Sequence, residues 1–166
     1  MKKIIRKRSI LFALVLCLTI VFVSSVALAG PVKSAVAPAQ ALSDVNIAAF
    51  TAQNYNYEWK LTPPSYPKSM SAYSFSGPEL YMSVFYTGYS SWNLTFIRVN
   101  GNHFNHSQLF YAQYPIVSGG VIVGYEILYS IPAAQLSSSN TVTVTSTGTS
   151  GGGTYSDLST NIYFVR

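Results

Sequence analysis

From Leu42 onward, apolar side chains recur at every second position, in short runs rich in β-branched and aromatic residues. Period two is the geometry of an extended strand, where successive side chains point to opposite faces. An amphipathic helix would need apolar residues at i, i+3, i+4 and i+7. No segment beyond residue 42 sustains that helical spacing. "YNYEWK" sets Tyr55, Tyr57 and Trp59 against Asn56, Glu58 and Lys60. "LYMSVFY", Leu80 to Tyr86, is apolar on both faces, as for a covered strand. "NLTFIRV" covers Asn93 to Val99, and "VIVGYEILYSI" aligns Val121, Val123, Tyr125, Ile127, Tyr129 and Ile131 on one side. "NTVTVTS" turns Val142 and Val144 inward, and "NIYFV" closes the chain at Asn161 to Val165.

The breaks between these runs agree. "TPPSYP", Thr62 to Pro67, cannot lie in a central strand, because proline has no N–H for the ladder. Gly77-Pro78, Gly119-Gly120 and Gly151-Gly152-Gly153 interrupt the pattern elsewhere. Asn100-Gly101 is the strongest hairpin signal, since both residues tolerate positive φ. "IPAAQLSSS" after Ile131 predicts one short turn that drops Leu136 over the core. Many short strands with frequent turns predict an all-β fold, an antiparallel β-sandwich of immunoglobulin-like or jelly-roll-like type. "VNG", "IPAAQL" and "NTVTVTS" also resemble the last strands of secreted modules with those two folds, which is architectural and names no ligand.

The N-terminus reads differently. Lys2, Lys3, Arg6, Lys7 and Arg8 precede an apolar run from Ile10 to Ala29 that ends in Ala27-Leu28-Ala29. Basic, apolar and small-x-small regions in that order predict a secretory signal helix over residues 1–29, cleaved after Ala29. An uncleaved anchor is the alternative, because about 20 apolar residues can span a bilayer. "GPVKSAVAPAQA", residues 30–41, reads as a flexible leader, and residues 42–166 as one β-sandwich domain.

Cleavage would remove half of the basic charge. The whole chain carries +5 at pH 7, but Lys33, Lys60, Lys68, Arg98 and Arg166 beyond the cut are balanced by Asp44, Glu58, Glu79, Glu126 and Asp157. A neutral exported chain lacks the field that draws phosphates, so no nucleic-acid partner is expected. No stable membrane association is expected after cleavage either. The one cysteine, Cys17, lies in the apolar run behind Leu16, where a lipoprotein site would want a small residue. The exported part would therefore have no disulfide and rest on its core, as a bacterial extracellular domain of this size can.

Both histidines fall in "IRVNGNHFNHSQLFY". The Asn-Gly turn makes His103 start a return strand, and strand positions three apart face opposite ways, so His103 and His106 should not share a metal. No metal ligand set and no cofactor motif is present. "GYSSW", Gly88 to Trp92, lacks the second glycine of a nucleophile elbow, and no glycine cluster precedes the Lys-Ser/Thr of a phosphate loop. No loop has the ligand spacing of an EF-hand. Glu58, Glu79, Glu126 and Asp157 could pair in space for glycoside cleavage, but no spacing selects two of them. Glu79 and Glu126 read as surface charges.

Aromatic residues are the remaining chemistry. Ligand-binding candidates are Trp59, Tyr89, Trp92, His103 and His106. The uniformly polar face opposite Tyr55, Tyr57 and Trp59 favours the core for that stripe. Trp92, beside a turn, is the better candidate for exposure.

Gly77-Pro78-Glu79-Leu80 entering a strand, Thr87-Gly88-Tyr89 closing it, and the terminal "YSDLSTNIYFVR" resemble a group of small secreted Bacillus-type proteins, the YolA-like proteins. The resemblance runs from about Tyr73 to the C-terminus and leaves out "NGNHFNH". It implies a secreted β-domain of uncharacterised function and carries over no functional residue. The expected function is a secreted, non-catalytic module binding a protein or glycan at the cell surface. A small hydrolase using His103 or His106 is the alternative. A membrane-active toxin, inserting the hairpin Asn140 to Val165, is the third, with strands that look too short for a bilayer.

Overall fold

A computed structural model describes residues 40–52, 58–64, 67–71, 73–149 and 153–165. The expected signal helix, cleavage site and most of the leader lie outside the described residues, as do Tyr55 and Tyr57.

Two sheets pack face to face as a β-sandwich, without closing into a barrel. The first is antiparallel, in the order β2 (Lys60–Leu61), β1 (Asp44–Ala52), β5 (Glu79–Thr87), β9 (Val121–Pro132), β8 (Phe110–Ser118). The second runs β3 (Lys68–Ser69), β11 (Thr154–Val165), β10 (Ser139–Gly148), β6 (Ser90–Val99), β7 (Asn102–Asn105). A short β4 (Ser74–Ser76) also lies beside β11, and β3 and β4 are the strands that run parallel to it. A single helical turn, α1 (His106–Leu109), carries the chain from β7 in the second sheet to β8 in the first.

The core follows from the alternation. Leu80, Met82, Val84 and Tyr86 of β5 and Ile127, Tyr129 and Ile131 of β9 are fully buried. Val142 and Val144 of β10 and Ile162 and Phe164 of β11 join the same cluster. Each such large side chain contributes about 1.5–3 kcal/mol over an exposed position. The turn Ala133–Gln135 lowers Leu136 onto this core, as its sequence predicts. β5 is covered on its other face too, where Tyr81 and Ser83 are buried and Tyr81 meets Tyr111 edge-on.

The Asn100-Gly101 hairpin forms, with φ of 52° and 87°, and pairs Val99 with Asn102 and Arg98 with His103. Two long strands, and the short β3 and β4, escape the sequence pattern. β1 is rich in alanine, a poor strand former, yet sits beside β5 with Phe50 and Ile47 fully buried. β8 contains Pro115, which its place at the sheet edge tolerates. The strand expected at Tyr55 to Lys60 is not found in its described part: Glu58 and Trp59 are irregular, and β2 holds only Lys60–Leu61. The length objection to an inserting hairpin also fails, since β10 has 10 residues and β11 has 12. Their Val142, Val144, Ile162 and Phe164, however, are committed to the core.

Candidate functional site

The crossing from β7 to β8 builds the site. His106 opens α1 just after β7 ends, and Gln108 Oε1 accepts the Asn105 N–H at 2.7 Å, closing the turn's start. That turn aims His106 away from β7 and lays it on Trp92 of β6. The two rings stack with centroids 4.8 Å apart and planes 19° from parallel. Trp92 in turn meets Tyr86 edge-on at 5.4 Å and Tyr125 at 6.1 Å, and Tyr125 meets Tyr89 at 5.8 Å. Phe110 closes the other side, 5.2 Å from His106.

A cleft of about 360 Å³ opens here, lined by Trp92, Asn93, Asn105, His106 and Ser107. Its wall is the tryptophan–histidine stack. Its polar groups are two carboxamides and a hydroxyl, with no carboxylate and no lysine or arginine.

Behind the cleft, His106 Nδ1 lies 3.0 Å from the Tyr129 hydroxyl, which lies 2.7 Å from the Tyr86 hydroxyl. Both phenols are fully buried. Two donor directions are conceivable along this chain. If Nδ1 carried a proton, Tyr129 would donate to Tyr86, and the Tyr86 O–H would have no acceptor among the described residues. If Nδ1 accepts, Tyr86 donates to Tyr129 and Tyr129 donates to His106, and both buried phenol protons have a partner. A buried donor without an acceptor costs about 1–3 kcal/mol, so the second direction is the stable one. His106 then carries its proton on Nε2, which has no protein partner among the described residues. Burial lowers the His106 pKa, so the ring is neutral at physiological pH. Burial also raises the pKa of Tyr129 and Tyr86, the latter further through Tyr129, so both stay protonated. Tyr125 is raised by burial and then by its neighbour Tyr89.

The sequence candidates therefore separate. Trp92 and His106 touch, and Tyr89 joins them through Tyr125. His103 does not join: it is exposed on β7 and packs over Phe96, ring centroids 4.7 Å apart. Trp59 is half-buried before β2, in a different part of the chain from the cleft. The two histidines face different surroundings, but a helical turn that opens at His106 parts them, not the alternation of a continuous strand. Among the described residues no group of three or more His, Cys, Asp and Glu could hold a metal ion. Tyr129, Tyr86, Asn93, Asn105 and Ser107 were not singled out from the sequence. No local motif marks them, because they converge from β5, β6, β7, α1 and β9.

The family of domains of unknown function DUF4879 matches residues 37–164. The chain belongs to DUF4879. No curated protein and no solved structure matches it. The DUF4879 match includes both sheets and every residue of the cleft. Within this DUF4879 domain four of the described carboxylates are engaged elsewhere: Glu79 accepts from Tyr81, Glu126 from Ser83, Glu58 from Lys60, and Asp157 from Lys68.

Proposed function

We propose that this protein is an exported, non-catalytic binding module whose cleft at Trp92 and His106 takes a neutral glycan of the cell surface. The observation that carries the proposal is the flat stack of His106 on Trp92, with Nδ1 held by Tyr129. It leaves an apolar ring wall, an outward Nε2–H donor, and Asn93, Asn105 and Ser107 as uncharged hydrogen-bonding groups. Aromatic rings pack against the C–H faces of sugars, and carboxamides and hydroxyls pair with sugar hydroxyls without the desolvation cost of a charge. Export rests on the basic and apolar N-terminal pattern. The resemblance to YolA-like secreted proteins of Bacillus type supports the same placement.

A hydrolase at this site has less support. A histidine base needs an unprotonated nitrogen facing the substrate and usually a carboxylate behind it. Here the accepting nitrogen faces the core, and a tyrosine stands where the carboxylate would.

Titration with neutral oligosaccharides and solubilised wall glycans, read by isothermal titration calorimetry, tests the proposal. Binding should weaken at least about tenfold in Asn105→Ala and in Trp92→Ala, as for loss of a stacking or hydrogen-bonding group of 1.4 kcal/mol or more. No binding by the unaltered protein, or binding untouched by both changes, would rule the cleft out. Capture of a protein partner insensitive to them would move the function to another surface.

A further inference from the structure

Lys68 and Asp157 are buried side by side, 7 % and 4 % exposed, and their charged groups meet at 2.5 Å. They lie where β3 and β11 of the second sheet approach β1 of the first. The Lys68 ammonium contacts Asn46 Oδ1 and donates to the Ile47 carbonyl at 2.8 Å. Asp157 is held by backbone: Oδ2 accepts the Ile47 N–H at 2.7 Å, and Oδ1 accepts the Leu158 N–H at 2.9 Å. The amide nitrogen of Asn46 makes no hydrogen bond among the described residues, and Asn46 is only half-buried.

We propose that Lys68 and Asn46 become joined by an amide bond between their side chains, formed within the folded domain. A buried amine that touches a carboxamide on one side and a buried carboxylate on the other brings together the parts such an exchange needs. Asp157 takes a proton from the Lys68 ammonium. The two groups already meet at 2.5 Å, so the proton has a direct path. The freed Nζ lone pair attacks Asn46 Cγ, one bond beyond the oxygen that Nζ already touches. The tetrahedral centre collapses with loss of the Asn46 amide nitrogen, which takes the proton back from Asp157 and departs as ammonium. One C–N bond forms and one breaks, no electrons change hands, and Asp157 ends as a carboxylate. The half-exposed side of Asn46 gives the ammonia a way out.

The product would clip one sheet to the other. β3 is two residues long and pairs with β11 at two positions only, so little else fixes this edge. The link would also close the chain between residues 46 and 68 in a domain with no cysteine to do so.

Tryptic digestion of protein purified after expression of the full chain, followed by mass spectrometry, tests the proposal. Cleavage after Lys68 should fail. The peptides holding Asn46 and Lys68 should appear as one branched species, lighter than their sum by one ammonia, about 17 Da. Asn46→Ala should abolish that species, and Asp157→Ala should reduce it more than about tenfold, as for loss of an acid–base group. Ordinary cleavage after Lys68 with an intact Asn46 in the unaltered protein would overturn the proposal. So would a deficit of one water, about 18 Da, which would place the bond on Asp157 instead.

Discussion

Tyr86 and Tyr129 share a 2.7 Å hydrogen bond inside the core although they are not paired across their strands. Tyr86 stands opposite Tyr125, and Tyr129 stands opposite Met82. The two phenols lean toward each other along the sheet, and their chain leaves the core at a single point, His106.

That direction makes the two hydroxyls unequal. Tyr86→Phe leaves Tyr129 still donating to His106 and should cost about 1 kcal/mol. Tyr129→Phe strands the buried Tyr86 hydroxyl and removes the donor to Nδ1, and should cost more, about 2–3 kcal/mol. The double change removes both partners and should cost clearly less than the sum. Urea unfolding of the three variants checks the order. Equal single costs that add would contradict the assigned direction.

Stability should fall on mild acidification through His106. Its folded pKa lies below 6.5 because burial penalises the imidazolium. As pH drops through about 6.5, the unfolded chain gains a proton that the folded chain refuses. The contribution is therefore complete above that pH and shrinks as pH falls toward the lowered folded value. Melting temperatures measured between about pH 7.5 and 5.5 should decline more for the unaltered protein than for His106→Gln. Parallel declines would remove His106 as the cause.

Alkaline titration should show the opposite sign. Burial raises the Tyr86 and Tyr129 phenols above the ordinary value of 10.0, so only the unfolded chain ionises them near that pH. Their contribution is present below about pH 10 and is lost as pH climbs toward the raised folded values. Ultraviolet absorbance should show these two phenols ionising only together with unfolding. Their smooth ionisation in a protein still folded by circular dichroism would contradict their burial.

Gly124 and Gly101 should respond differently to alanine. A Cβ on Gly124 would lie 2.1 Å from the Tyr86 carbonyl oxygen, at the end of the pairing of β9 with β5. Gly101 has φ of 87° but open space around it. Gly124→Ala should cost about 1–3 kcal/mol by forcing the strands apart. Gly101→Ala should cost only the turn strain, about 1 kcal/mol. Gly124→Ala should also disturb the cleft, through Tyr125 and Trp92, whereas Gly101→Ala should not. Tryptophan fluorescence together with urea midpoints separates the two.

Strands with both composition and alternation in their favour were legible in the sequence. β10 buries Val142 and Val144, β5 buries Leu80, Met82, Val84 and Tyr86, and β9 buries Ile127, Tyr129 and Ile131 of its expected face while Val121, Val123 and Tyr125 stay half-buried; Asn100-Gly101 turns where only residues tolerant of positive φ can. β1 was not legible, because alanine carries little strand preference of its own and β1 is held by its neighbour β5. β8 was hidden by Pro115, whose missing N–H matters in the middle of a sheet and not at its edge. For the site, Trp92 and His106 stood out as rare residues near turns. Lys68, Asn46 and Asp157 did not, since nothing in the spacing of a lysine, an asparagine and an aspartate so far apart foretells their meeting.

The sequence by itself determined that the chain makes layered β-sheets and where its hairpin turns. These are local consequences of side-chain period and allowed φ, available to any segment before it meets another. Only the tertiary structure decided that His106 lies on Trp92 with two buried phenols behind it, and that Lys68 is sealed against Asn46 and Asp157. Those groups come from different strands, and their protonation and reactivity are set by the exclusion of water, which exists only once the two sheets have closed.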